Sequence, residues 1–480
     1  MTPHRPPAPA RPGALLLAAC LGFVIVILDV SVVNVATGAL ARDLGGSLSG
    51  LEWVVNGYTL TFAAFLLTAG SLGDRFGPRH VFTAGFALFA VASLACGAAP
   101  SLVTLTAARV VQGVGAALIV PSSLSLVSSG FPDPARRTRA VGLWAAAGGF
   151  ALAAGPVVGG LLVDGLGWRS VFYVNVPLAV LGIALALAYA PPAPARGRSG
   201  RRAADLPGQV LAVTGLGALT AAITEAHTLG WDSPLVLGCA AVFLVSLPAF
   251  VAVERRGADP MLPPRLFRRR AFTHTSLVGV LLNFAFYGLV FVLSVHFQQV
   301  RSYSPLTTGL ALLPMTAAIL AANLLCGPLV RRFGVRTVLV AGNAVAAAGF
   351  AAAVPVAGSA PYAAMAGQLA VASLGIGLVV PALTNAVLGS VDPDQAGVAS
   401  GVLNASRQVG GLIGVAVMGL LMGGAATGHS ASGPGAALCA ATAALAVAAV
   451  LSATGVREAG ASPSRAVAAG RRPVPCAGRR

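Results

Sequence analysis

The 480-residue chain is 56% apolar and only 9% charged, with 59 glycines, whereas a soluble domain carries about a quarter charged residues. That composition excludes a water-soluble enzyme or binding module and indicates a polytopic, all-α membrane protein. The formal net charge of +17 would suit a nucleic-acid partner, but all 31 basic residues are arginines dispersed among short connections, and without a lysine the Gly-Lys-Ser/Thr phosphate loop of an ATP-driven pump cannot be built.

Fourteen apolar runs reach spanning length, at about 14–38, 51–72, 80–98, 102–123, 140–162, 169–190, 206–226, 233–253, 271–297, 306–329, 337–356, 362–386, 402–424 and 434–455. With the N-terminus inside, 26 arginines fall on the cytoplasmic side; only Arg42, Arg169 and Arg301 fall outside, and Arg109 and Arg407 lie within runs. This asymmetry predicts an even number of spans and two cytoplasmic termini. The first run is too long for a signal-peptide core and contains Asp29, so it reads as a retained helix. Six cysteines lie singly, without pairing or metal spacing, and read as small packing residues.

In the first run, Asp29 is the costly residue: a carboxylate at mid-helix in hydrocarbon costs about 3 kcal/mol or more, so it is expected to face a cavity. Asn34 lies five residues on, about 140° round the helix, and is a second cavity candidate. The next run places Trp53 at its outer interface and Tyr58 deeper. A tight polar turn follows, Gly70 to Arg79, and it returns 257 positions later as Gly327 to Arg336 with the glycine, Arg-Phe-Gly and final arginine in register. Gly115 to Pro121 likewise aligns with Gly375 to Pro381 at an offset of 260. Two related halves are implied, the pattern of secondary transporters. The turn resembles the signature loop of the major facilitator superfamily at Gly70, Asp74, Arg75, Gly77 and Arg79, and this resemblance makes it a gating loop. The Leu28 to Ala36 stretch is similar to the first-helix motif of that superfamily's fourteen-span drug/proton antiporter branch.

The fourth run carries Arg109, Gln112, Gly113 and Gly115, resembling the superfamily's helix 4 motif. Counted from the outer ends of their runs, Asp29 and Arg109 are both roughly 13 Å deep. The matched depth points to a coupling pair in which the aspartate carries the proton. The fifth run orders Gly142, Gly148, Gly149, Ala151, Gly155, Pro156, Gly159 and Gly160 as in the exporters' antiporter motif, with Ala151 in place of one glycine. Such a helix presents a bare face for close packing and bends at its proline. Trp168-Arg169 to Asn175-Val176-Pro177 opens the sixth run as the branch does. The Pro/Arg-rich segment 191–205 reads as a flexible linker, and the two runs after it have no repeat partner. Glu225 and Asp232 read as solvated loop charges.

The second half loses the charged echoes: Arg331 stands where Asp74 does, and a leucine after Gln368 stands near where Arg109 does. Its polar residues are expected to be mostly interhelical hydrogen bonders, and Asn283 and Gln368 join Asn34, Tyr58 and Gln112 as the expected substrate cavity. The thirteenth run, Asn404 to Gly411, again resembles the branch but has no acidic residue, which argues against broad dication export.

The resemblance implies a major facilitator fold with 14 transmembrane helices (6 + 2 + 6). The divisions are a cytoplasmic N-terminus 1–13, a six-helix bundle 14–190, the linker 191–205, two extra helices 206–254, a basic connection 255–270, a second bundle 271–455 and a basic tail 456–480. It implies proton-coupled efflux of a small organic substrate across the cell membrane by a monomer, with no cofactor, metal, enzymatic activity or nucleic-acid partner. Uptake symport on the same fold is the alternative, and a non-transport membrane enzyme or receptor a more distant one.

Overall fold

The computed structural model describes residues 11–45, 47–131, 133–191, 205–257, 265–357, 361–391, 396–423 and 433–456. Almost all of the expected 191–205 linker, the N-terminal 1–10 and the tail from 457 lie outside the described residues.

The described chain is helical: α1 (Pro12–Leu44), α2 (Leu48–Phe76), α3 (Pro78–Gly97), α4 (Leu102–Gly130), α5 (Pro134–Leu166), one-turn α6 (Ser170–Tyr173), α7 (Asn175–Tyr189), α8 (Leu206–Leu229), α9 (Pro234–Arg256), α10 (Arg270–Val295), α11 (Pro305–Phe333), α12 (Val335–Ala353), α13 (Tyr362–Gly389), α14 (Ala396–Gly423) and α15 (Pro434–Gly455). Thirteen helical segments among the described residues are long and apolar enough to cross a membrane, with α6 and α7 counted as one, and α2 is a further 29-residue helix. Several helices outrun the apolar segments, α5 by nearly two turns at its start and about one at its end, because arginines and capping residues extend them beyond the apolar stretch.

Local chemistry sets the ends. Proline opens α1, α3, α5, α8, α9, α11 and α15, where its missing N–H costs nothing. Ser47, Asp133, Asp205 and Ser304 accept from backbone N–H groups, and Ser101 and Thr104 form a capping box. The repeated turn is visible in the backbone. Gly77 and Gly334 close α2 and α11 at φ 88° and 81°, values open to glycine and strained for other residues.

Within the first half, α1 packs on α4, α5 and α7, α2 on α4, and α3 on α4 and α7; in the second, α10 packs on α14 and α15, and α13 on α11 and α12. α8 and α9 pair with each other, and α8 leans on α2 and α14. The halves meet along α5–α11 and α2–α14. At the end where α1 finishes, this seam is backbone against backbone. A Cβ on Gly309 would collide with the Pro156 carbonyl, and one on Gly160 with Leu306 and the Pro305 carbonyl. Asp164 adds bonds from Ser304 Oγ (3.0 Å) and the Leu306 N–H (3.1 Å), and Gln298 donates to the Val35 carbonyl at 2.8 Å. Toward the other end the α5 contact with α11 loosens, although Gly148 still seats α5 against Phe23 of α1. Gly149 has only Leu320 and Asn323 within 4 Å, and Gly142 has nothing.

Candidate functional site

Asp29, Arg109, Gln112 and Asn175 form one buried polar cluster inside the first half, where α1, α3, α4 and α7 converge. All four are at most 1% exposed. Arg109 Nη1 is ion-paired with Asp29 Oδ2 and donates to Gln112 Oε1 at 2.7 Å, while its Nε donates to the Val54 carbonyl at 3.1 Å. Asp29 Oδ1 accepts from Gln112 Nε2 (3.0 Å) and Asn175 Nδ2 (2.9 Å). Gln112 also donates to Ser93 Oγ at 2.8 Å. The guanidinium plane lies 4.1 Å from the Tyr58 ring centroid and 5.9 Å from that of Phe172, a cation–π contact that strengthens when water is excluded.

Sequence places these groups. Arg109 and Gln112 sit three residues apart, on one face of α4. Gly113 lets α4 approach α2 so closely that a Cβ there would collide with Thr61 and the Tyr58 carbonyl, which brings Arg109 within reach of the Val54 carbonyl. Two charges buried together offset much of each other's desolvation, and either one alone would be strongly destabilising. Each carboxylate oxygen has a donor, so the cluster is closed. Asn175 is named from sequence only as part of the branch-like opening of the sixth run, with no role beside Asp29, and Ser93 is not named at all. Asn175→Ala would leave Gln112 as the only donor to Oδ1, and a loss of about 1–3 kcal/mol is expected, read as a lowered unfolding temperature in detergent.

The expected substrate-cavity residues divide. Asn34 lines a narrow cleft between the halves, with Val30, Ser31, Leu152, Pro156, Phe286, Tyr287, Val290, Leu312, Met315 and Thr316. Its Nδ2 donates to the Val30 carbonyl at 2.9 Å, and its Oδ1 is buried without a partner. The cleft holds about 20 Å³, about one water's worth. Tyr58 and Gln112 belong to the charged cluster instead. Asn283 is buried and bonds the Gly279 carbonyl of its own helix at 2.9 Å, and Gln368 is half-buried on α13 outside this cleft.

The antiporter-helix glycines serve two neighbours. A Cβ on Gly155 would collide with Ser31, and one on Gly159 would crowd Val32, so both seat α5 on α1; Gly160 seats it on α11. Gly142 packs on nothing within 4 Å, so the expected close-packed face does not extend to it. In the gating loop, Arg79 donates to the Leu187 (2.7 Å) and Ala190 (3.1 Å) carbonyls at the end of α7, where unsatisfied carbonyls attract a cation. Arg75 lies over Phe76, and Gly70 has open space around it. The Asp74 side chain lies outside the described residues.

Glu225 departs from the solvated charge expected. It accepts from Trp53 Nε1 at 2.9 Å and is partly buried, because α8 is packed against α2; Asp232 is exposed as anticipated. Trp53, at the outer end of its run, thereby ties α2 to α8. The buried Glu52, on the same turn, sits against Gly419 of α14.

The sequence matches the Major Facilitator Superfamily over residues 19–415 and again over 275–475. The chain belongs to that superfamily. It is a multi-pass membrane transporter, not an enzyme. It is 41% identical over 410 residues to the Methylenomycin A resistance protein of Streptomyces coelicolor, covering 85% of this chain and 86% of that one. Against the Multidrug resistance protein Stp of Mycobacterium tuberculosis (CDC 1551 / Oshkosh) it is 36% identical, with coverage of 85% and 75%; against the Tetracenomycin C resistance and export protein of Streptomyces glaucescens it is 34% identical, with 86% and 76%. These relatives lie in the drug-exporting branch. The fold is shared with the partially occluded, inward-open xylose transporter XylE of E. coli (TM-score 0.63, 14% identity, 93% and 98% coverage).

Proposed function

We propose that this transporter exports small organic compounds, drugs or antibiotics among them, in exchange for protons. The observation that carries this reading is the dry Asp29–Arg109 pair, a protonatable carboxylate held by an arginine inside the first half, in a chain whose relatives are named as resistance and export proteins. Asp29 and the cleft residues Val30, Ser31 and Asn34 share α1. A proton on Asp29 weakens its hold on Arg109 and Asn175, which frees α1 to move against α5 and reshape the cleft, and the two halves rock about that midplane. A proton descending about 150 mV supplies roughly 3.5 kcal/mol, enough for a gradient of a few hundredfold.

In this reading α2 completes fourteen spans arranged as six, two and six, with both termini cytoplasmic in a monomer, and the Asp74 turn gates the inner face. Support for the six-plus-six division comes from the helix pairings within each half. α8 and α9 form the extra pair, anchored through Trp53 and Glu225. Everted vesicles expressing the chain are expected to accumulate substrate when energised and to release it on addition of a protonophore. Accumulation only in right-side-out vesicles would make it an uptake symporter.

A further inference from the structure

We infer that the substrate site carries an anion-binding arm, Arg407, and that the exported compounds are organic acids with an apolar body. The inference rests on the export reading above and names its substrate class.

Two cations lie inside the apolar runs, Arg109 and Arg407. The first is neutralised by Asp29. The second, on α14, has no hydrogen bond and no carboxylate in ion-pair reach among the described residues, and its Nε is buried without a partner. Arg407 is half-buried; a guanidinium cannot shed its charge and offers five donors, so holding it inside an apolar run without a carboxylate is costly unless a ligand completes it. Its stem is seated, with Cγ 3.3 Å from the position a Cβ on Gly279 would take, between α10 and α14. Gly410 and Gly414 bring those helices into backbone contact at Val280 and Phe284, so the seat is built by close packing.

Arg407 stands beside the cleft. Tyr287 of α10 lines the cleft and rests on Gly411, one turn from Arg407 on α14. The cleft wall is otherwise apolar, with Phe286, Val290, Leu312 and Met315 on the second-half side. On the facing half, Asp29 is enclosed by Arg109, Gln112 and Asn175 and presents no negative charge to a ligand. A ligand carboxylate or sulfonate on Arg407, with its rings against Tyr287 and Phe286, would be received by a bidentate fork. Export of such an anion against an entering proton moves charge in one electrical sense on both limbs, so the membrane potential drives both.

The test is equilibrium binding to the purified full chain in detergent, with the anion 8-anilinonaphthalene-1-sulfonate and the cation ethidium as probes. The expected result is tighter binding of the sulfonate by the native protein, a loss of about tenfold or more in Arg407→Gln, a smaller loss in Arg407→Lys, which keeps the charge but not the fork, and ethidium binding not weakened by Arg407→Gln. Ethidium binding tighter than sulfonate binding by the native chain, or equal sulfonate binding by the native chain and a folded Arg407→Gln, overturns the inference. Both comparisons are independent of transport direction, so a negative vesicle result would count against the export reading and leave the anion preference to be judged on its own. Should Arg407→Gln not fold, the native protein's choice between the two probes decides.

Discussion

Asp29→Asn is expected to abolish proton-driven export in everted vesicles while sparing energy-independent binding of substrate. The amide keeps the shape of the carboxylate, and its oxygen can still accept from Gln112 and Asn175. It cannot bind a transported proton, and the nitrogen it brings faces Arg109, donor against donor. An arginine left unpaired at this depth costs about 3–5 kcal/mol, so a lower unfolding temperature should accompany the transport defect. The double variant Asp29→Asn/Arg109→Gln separates the two effects. With both charges gone, stability should return toward native while coupling stays lost. Binding should survive in both because neither Asp29 nor Arg109 lines the cleft; both are enclosed within the first half. An Asp29→Asn protein that pumps normally against a gradient would reduce the pair to a structural strut and place the coupling carboxylate elsewhere.

That this pair could be read from sequence while Asn175 could not follows from what each depends on. Asp29 and Arg109 are rare in hydrocarbon, and their depths can be counted along straight helices. The role of Asn175 depends on α7 delivering it 146 residues from its partner, information that lies in tertiary packing. Asn283 shows why amides mislead in such helices: it bonds the carbonyl four residues back on its own helix, at 2.9 Å, a local solution indistinguishable by composition from a cavity residue. The turn residues were legible because Gly77 and Gly334 answer a backbone requirement that only glycine meets without strain. The antiporter-motif glycines were legible as a group but not one by one. Whether a bare position meets a neighbour, as Gly155 and Gly160 do, or open space, as Gly142 does, is decided by where α1 and α11 lie. Glu225 was misjudged for the same reason, since only the approach of α8 to α2 turns a helix-end charge into a partner for Trp53.

Gly309→Ala is expected to cripple transport by preventing closure at the end of the bundle where α1 finishes. The added methyl would meet the Pro156 carbonyl, and the Val157 nitrogen lies 3.2 Å from the same position. Both are backbone atoms held in α5, so no side chain can rotate away. Overpacking of this kind costs typically 1–3 kcal/mol, and here the cost falls only on the state in which α5 and α11 touch. At about 3 kcal/mol the balance between the two arrangements moves by roughly a hundredfold, away from the closed seam described here and toward one open at this end. The shift can be read with a single cysteine at Thr316, whose hydroxyl now lies 3.2 Å from the Ala153 carbonyl across the seam. An impermeant maleimide should label Thr316→Cys more readily in Gly309→Ala than in the glycine background, and from the face that the proposed topology puts outside the cell. Gly142→Ala, with nothing within 4 Å of the new methyl, should transport normally and serve as the control for adding a methyl to this helix pair. If Gly309→Ala transports at the native rate, the seam must give by more than a backbone contact allows, and the tight approach of α5 to α11 is not what holds this end shut.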